Sequence, residues 1–272
     1  MRILQLSDPH LLADPRGICR HVQPCRQLAL CLTAALAPRS LPLPDLLLLS
    51  GDLCQDESWG GYRNLTELLS CHVVPRGIPL VLLPGNHDHP QLLRASCQGL
   101  AGIAPCVVSH GGWQLLSLDS HCAGRRSGRI AGRQLRWLEQ RLEQSSDPCV
   151  VCLHHPPLSI GDPRMDRIRL ERPEPLLRLL NSHPRVRAVL CGHIHQAWSG
   201  RLPGPGRIPL YGCPSSLAQF GPVQPGVQTE RPGWRWLEGS SDGQLTTSVE
   251  RLQHSADGEE VASAGRIAAQ AN

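Results

Sequence analysis

Short apolar runs that stop abruptly set the strongest limit on what this chain can fold into. Residues 2–7, Asp45–Ser50, Leu80–Leu83, Cys149–Leu153 and Arg187–Cys191 each have strand length and end against Gly, Pro, Asp or His. Other segments repeat apolar residues at helical spacing: 24–37 (Leu28, Ala29, Cys31, Leu32, Leu36), Ser58–Ser70, Arg133–Gln144 (Leu135, Leu138, Leu142) and Glu174–Leu180 behind Pro173. Residues 106–120 read as two strands joined at Gly111-Gly112, and Ile208–Arg251 as strands and turns. Strand and helix alternate in the first half and mix in the second. The fold class expected is α/β, a four-layer α/β/β/α sandwich of two mixed sheets flanked by helices. With no repeat and no linker, residues 1–252 are expected to form one domain, and 253–272 a frayed, flexible tail.

Composition excludes several function classes. At 40% hydrophobic residues, the 272-residue chain can bury a core. A net charge of +4 is too small to argue for a nucleic-acid polymer, yet suits a small anionic substrate. No run approaches the roughly 20 apolar residues of a membrane span. The first charged motif, at Asp8, comes too early for a cleavable leader, so a cytoplasmic address is expected. In such a compartment the 12 cysteines are read as free thiols. The pair Cys149 and Cys152 has redox or zinc spacing, but residues three apart on a strand face opposite sides and cannot chelate together. Cys19, Cys25 and Cys31 match no ligand pattern. With one Phe and two Tyr, few rings are available for stacking.

Five motifs stand just past the predicted strand ends, where ligands bind in α/β sheets. They are Asp8-Pro9-His10, Gly51-Asp52, Gly85-Asn86-His87-Asp88, His154-His155-Pro156-Pro157 and Gly192-His193-Ile194-His195. On an extended chain, Asp8 and His10, or His193 and His195, would point the same way. Gly51, Gly85 and Gly192 would each supply a sharp or φ > 0 turn beside a ligand. One motif alone is weak; together they bring carboxylates, imidazoles and an amide to a common edge. Such mixed N/O donors suit Fe²⁺, Mn²⁺, Zn²⁺ or Co²⁺ rather than a calcium cage.

In this order the motifs resemble the calcineurin-like metallophosphoesterase superfamily. The stretches Leu4–His10, Gly51–Asp56, Leu83–Asp88 and Leu190–Gln196 are similar to the class III 3′,5′-cyclic-AMP phosphodiesterases of the bacterial CpdA type. So are Pro214-Ser215-Ser216, Gln219-Phe220, Pro232–Leu237 and Asp242–Thr247. The resemblance implies two divalent metal ions. Asp8, His10, Asp52 and His195 would hold one, and Asp52, Asn86, His154 and His193 the other, with Asp52 bridging. A metal-bridging hydroxide would attack phosphorus in line with the leaving oxygen. His87 would protonate that oxygen or stabilise charge, with Asp88 orienting its ring. His10, Asn86, His87 and His195 would also contact the substrate. His155 is the alternative to His154 as ligand, although Pro156 restricts it to an extended backbone. His89 is a supporting candidate. His21, His72, His110, His121, His183 and His254 lie outside the motifs and are read as structural or exposed.

The resemblance thus implies hydrolysis of 3′,5′-cyclic AMP to 5′-AMP, by a monomer or homodimer with no nucleic-acid polymer or membrane partner. Gly17–Val22 departs from the bacterial enzymes, and a base would have to stack on a residue such as His21, Trp198 or Phe220. The same ligands would serve a broad phosphoesterase acting on 2′,3′-cyclic nucleotides, glycerophosphodiesters or phosphomonoesters. A non-catalytic metal-bound scaffold is the reading from another class.

Overall fold

The computed structural model describes residues 1–37, 42–221, 230–254 and 260–268. Its strands are β1 (Arg2–Leu6), β2 (Leu46–Leu49), β3 (Leu80–Leu82), β4 (Gly102–Ile103), β5 (Cys106–His110), β6 (Trp113–Ser117), β7 (Cys149–Cys152), β8 (Val186–Cys191), β9 (Ser199–Arg201), β10 (Pro209–Gly212), β11 (Gly233–Gly239), β12 (Leu245–His254) and β13 (Glu260–Ala268). The helices are α1 (Pro24–Ala35), α2 (Trp59–His72), α3 (Pro90–Ser96), α4 (Gly132–Glu143), α5 (Pro163–Asp166) and α6 (Glu174–Asn181), with a 3-10 turn at Val74–Arg76. None of the described helices is long and apolar enough to cross a membrane.

Two mixed sheets form, ordered β13-β12-β11-β1-β2-β3-β4 and β5-β6-β7-β8-β10-β9. Within them β1 to β4 run parallel, as do β6, β7, β8 and β10. Alternation along each central strand assembles the layers. Leu46 and Leu48 join Ile3, Val81, Val150 and Leu190 in the core between the sheets. Leu47 and Leu49 point the other way, onto Leu28 and Leu32 of α1 and Leu65 and Leu69 of α2. On the outer face of the second sheet, Val151 and Val189 meet Leu138 of α4 and Leu180 of α6. Three apolar interfaces separate four layers, the architecture expected from the sequence. Cys149 falls in the outer core and Cys152 in the inter-sheet core, so the C-x-x-C is split across the sheet as strand periodicity requires.

Helix starts follow local chemistry. Pro24 opens α1, and the Ser58 hydroxyl accepts the Gly61 N–H at 3.0 Å to cap α2. Two short helices, α3 and α5, have too few turns to show a periodicity and were not expected. Within the C-terminal segment, Glu260–Ala268 pairs antiparallel with β12 and adds an edge strand to the first sheet. Residues 255–259 and 269–272 of that segment, and the side chain of His254, lie outside the described residues.

Candidate metal centre

All five motifs lie where expected, past the ends of β1, β2, β3, β7 and β8, and the two sheets bring those ends together. The route differs from an extended chain. Asp8, His10, Asp52, His193 and His195 all have left-handed backbones, with φ of 53°, 49°, 50°, 68° and 51°. A non-glycine residue there costs about 1–3 kcal/mol, and such strain collects at functional sites. Here the loops after β1 and β2 hold each other in place. Asp8 N–H donates to Gly51 O, His10 N–H to Asp52 O and Leu11 N–H to Leu53 O, each at 3.0 Å. The i, i+2 pairs therefore converge through kinked turns, not through strand pleat.

The glycine expectation is corrected in the same way. Gly51 is left-handed (φ 106°), but Gly85 and Gly192 are not. Those two are required for close approach. A Cβ on Gly85 would lie 2.1 Å from Asp52 Oδ1, and one on Gly192 would lie 2.2 Å from Ser7 Oγ.

Asp52 stands at the middle. Its Oδ1 is 3.4 Å from His154 Nε2 and its Oδ2 is 3.9 Å from His10 Nε2. Asp8 Oδ1 is 3.3 Å from His195 Nε2, and His10 Nε2 faces His195 Nε2 at 3.1 Å. Main-chain carbonyls set two tautomers. His154 Nδ1 donates to Ser50 O at 2.7 Å and His195 Nδ1 donates to Ala218 O at 2.6 Å. In the neutral rings this leaves the Nε2 lone pairs aimed inward. His154 Nε2, His193 Nε2 and Asn86 Oδ1 are buried without a hydrogen-bond partner. Buried polar atoms are ordinarily satisfied, and a cluster of such unpartnered oxygen and nitrogen atoms around two buried carboxylates fits cations.

The electrostatics agree. Burial would raise the Asp52 carboxyl, but His154 and then His10 outweigh it and hold it well below the usual range. Asp8 is lowered by the same balance, chiefly through His195. Burial would lower His154, yet Asp52 and Asp8 raise it to about 9. Burial dominates at His10 and His193, which fall to about 3 and so are neutral at physiological pH.

His155 is resolved by its bonds. Its Nε2 donates to Arg126 O at 3.0 Å, and its Nδ1 pairs with Ser120 Oγ at 2.8 Å. With both nitrogens engaged it has no lone pair for a metal, whereas His154 has one. A ring nitrogen of His155 lies within 4.8 Å of ligand atoms of His154 and His193; its hydrogen bonds outweigh that proximity.

Asp88 is a correction. Its buried carboxylate does not touch the His87 ring. It accepts N–H donors from Gly85 (2.8 Å), Leu53 (3.0 Å) and Cys54 (3.0 Å), and the Tyr62 hydroxyl at 3.0 Å. Burial, and then the Asp52 charge, push its carboxyl up to about 7 against the pull of those donors. Asp88 thus clamps the loop after β3 to the loop that carries Asp52. Asp88→Ala orphans three buried N–H groups and is expected to destabilise the metal-depleted protein by about 3 kcal/mol or more. Urea unfolding measures this; a loss below about 1 kcal/mol would show that the clamp contributes little.

His87 is held instead by Gln55, whose Nε2 lies 3.3 Å from His87 Nδ1. One ring nitrogen of His87 and donor atoms of His10 and Asp52 all lie within 4.8 Å of one another. Gln55 was legible only as part of the Gly51–Asp56 stretch, with nothing local to mark its role. His89 caps α3, accepting the Leu92 N–H at Nδ1. Ser215 and Ser216 brace the first motif, donating to Asp8 O at 2.8 Å and Ser7 O at 3.1 Å.

Two clefts open on the site. One of about 340 Å³ is lined by His10, Asp52, His193, His195, Phe220 and Arg20, among others. Phe220 stacks on His195 (4.0 Å between centroids, 9° between planes), and Arg20 lies 4.7 Å above Phe220. Of the three stacking candidates only Phe220 lines this cleft; His21 is exposed, and Trp198 packs against the outer core of the second sheet. The other cleft, about 700 Å³, includes His89, Arg94, His121, Arg125 and Arg126. The sequence carries no local signal for the cleft arginines.

A pair of buried carboxylates ringed by inward lone pairs, at the joined ends of two sheets, defines a dinuclear metal phosphoesterase. The chain belongs to the calcineurin-like phosphoesterase family, whose model matches residues 1–197. It is 42% identical over 258 residues to a probable cyclic nucleotide phosphodiesterase of Synechococcus sp. (strain WH7803), covering 92% of this chain and 96% of that protein. It is 36% identical over 261 residues to the 3′,5′-cyclic adenosine monophosphate phosphodiesterase CpdA of Escherichia coli (strain K12), with 93% and 90% covered. The fold is shared with purple acid phosphatase PPD1 from yellow lupin (Lupinus luteus) seeds. That match has TM-score 0.64 and 16% identity, and covers 98% of this chain and 53% of that one.

Proposed function

We propose that the protein hydrolyses 3′,5′-cyclic AMP to 5′-AMP with a pair of divalent cations, Fe²⁺, Mn²⁺, Zn²⁺ or Co²⁺. The observation that carries this reading is the set of donors converging around Asp52. Asp8, His10, Asp52 and His195 would hold one ion, and Asp52, Asn86, His154 and His193 the other. Asp52 lies between His10 and His154, which supports a role for its two oxygens in both proposed sites. When bound, the cations supply an activated water and neutralise phosphoryl charge. Gln55 Nε2, 3.3 Å from His87 Nδ1, would hold the ring with its Nε2 side turned to the leaving ribose oxygen, which His87 would protonate or stabilise. Phe220 is backed by His195 on one face and covered by Arg20 on the other, so a purine would meet the Arg20 guanidinium that lies over this ring. The relatives named as cyclic nucleotide phosphodiesterases support this substrate over other diesters.

No disulfide forms among the described residues, which fits a reducing compartment, and we place the enzyme in the cytoplasm. Residues 1–252 form the catalytic domain in this reading. The donor set comes from one chain, so a monomer and a homodimer serve equally well.

The larger cleft beyond Asn86 and His87 leaves room for a second substituent on phosphorus, which favours broad diesterase activity as the second reading. A side-by-side assay on 3′,5′-cyclic AMP, 2′,3′-cyclic AMP and bis(p-nitrophenyl) phosphate with Mn²⁺ or Fe²⁺ separates the two. Slow turnover of 3′,5′-cyclic AMP beside fast turnover of the others would overturn the specific assignment. Asn86→Ala is expected to lower turnover and metal occupancy together, since it removes one orphaned donor. Unchanged metal content and rate would remove Asn86 from the ligand set.

A further inference from the structure

His155 sits beside the proposed ligands yet offers them no free lone pair. Its ring anchors a loop instead: Nδ1 takes the Ser120 hydroxyl at 2.8 Å and Nε2 donates to Arg126 O at 3.0 Å. The loop presses on the ring so closely that a Cβ on Gly128 would lie 2.3 Å from His155 Nδ1. Arg129 N–H to Ser120 O (2.9 Å) and Glu171 N–H to Gly128 O (2.8 Å) complete the brace.

The residue so held is Arg126. It lines both clefts, and the two residues that share this position are Asn86 and His87. The other cleft arginines are engaged. Arg94 pairs with Asp119, Arg125 with Glu171 and Arg164 with Asp162, while Arg20 covers Phe220. Among the described residues Arg126 has no ion pair. An arginine that lines both clefts together with Asn86 and His87, and has no ion pair of its own among the described residues, can reach an oxyanion bound there.

We propose that Arg126 contacts a phosphoryl oxygen of the bound diester, and that His155 positions it through the main chain. The proposal rests on the phosphodiesterase reading of the same site. Arg126 is exposed, so its truncation leaves the core intact.

The test uses bis(p-nitrophenyl) phosphate as substrate and inorganic phosphate as probe, the latter also by calorimetry on the metal-loaded protein. Arg126→Ala is expected to raise both the KM and the phosphate Kd by roughly 10-fold or more, with kcat and metal content nearly unchanged. Both constants staying within about 2-fold of the parent would overturn the contact. His155→Asn keeps a group near Ser120 but loses the donor to Arg126 O, and is expected to reproduce the KM effect. His155→Gln can restore that donor and is expected to rescue it. In the Arg126→Ala background, His155→Asn should add nothing to KM; an additive effect would overturn the positioning role. If the parent shows no diester turnover, the phosphodiesterase reading fails, while the calorimetric comparison still decides whether Arg126 binds phosphate.

Discussion

Asp52→Asn is expected to lower kcat/KM for the diester by about three orders of magnitude or more, because several kcal/mol of charge stabilisation depend on holding both cations. Asparagine is the informative choice. Asp52 sits at φ 50°, and Asn tolerates that left-handed conformation as well as Asp does. The backbone bond from His10 N–H to Asp52 O also survives the change. What is lost is the charge between His10 Nε2 and His154 Nε2 and the second anionic oxygen. Elemental analysis after dialysis should find less than the full metal complement. Metal that binds only the native state raises its stability, so chelation should lower the Tm of the parent and leave that of Asp52→Asn almost unmoved. A variant that keeps its metal and its rate would refute the bridging position.

His87→Ala is expected to cost about 10²–10⁴-fold in kcat on 3′,5′-cyclic AMP, the range for losing a general acid. The leaving group there is a ribose alkoxide, which departs badly without a proton. On bis(p-nitrophenyl) phosphate, whose nitrophenolate needs no proton, the loss should be far smaller. Metal content should hold, because the His87 side chain is not in the proposed ligand set. Removing Gln55 as Gln55→Leu should give the same leaving-group pattern on a smaller scale, since it releases His87 Nδ1 without removing the ring. Equal losses on both substrates would argue against the acid role.

Much of this centre was legible along the chain because its donors are local. Each motif is a few residues long and lies at the end of a strand whose apolar run is plain, so His10, Asp52, Asn86, His154 and His193 could be singled out as candidates, and the family resemblance proposed an ion for each. The four layers followed from periodicity: Leu46 and Leu48 against Leu47 and Leu49 divide between two cores simply by alternating. Other roles depended on partners distant in sequence. Asp88 is adjacent to His87, yet its carboxylate turns to Leu53, Cys54 and Tyr62 from the preceding strand–loop–helix unit. His155 adjoins His154, yet residues 120 and 126 decide its bonds.

By itself the sequence marked the main elements, the sheet-forming runs and the five motifs that hold the candidate metal donors, because strand pleat, helix turn and side-chain chemistry act over a few residues; the family resemblance proposed which residue holds which ion. The tertiary structure alone decided which nitrogen of His154 and His195 is free, which glycines serve close approach and which cleft arginine lacks an ion pair among the described residues. Those properties belong to hydrogen bonds and contacts between the loops of two sheets, such as Asp8 with His193 across 185 residues. Spacing along one loop carries no information about the hydrogen-bond partner that another loop supplies.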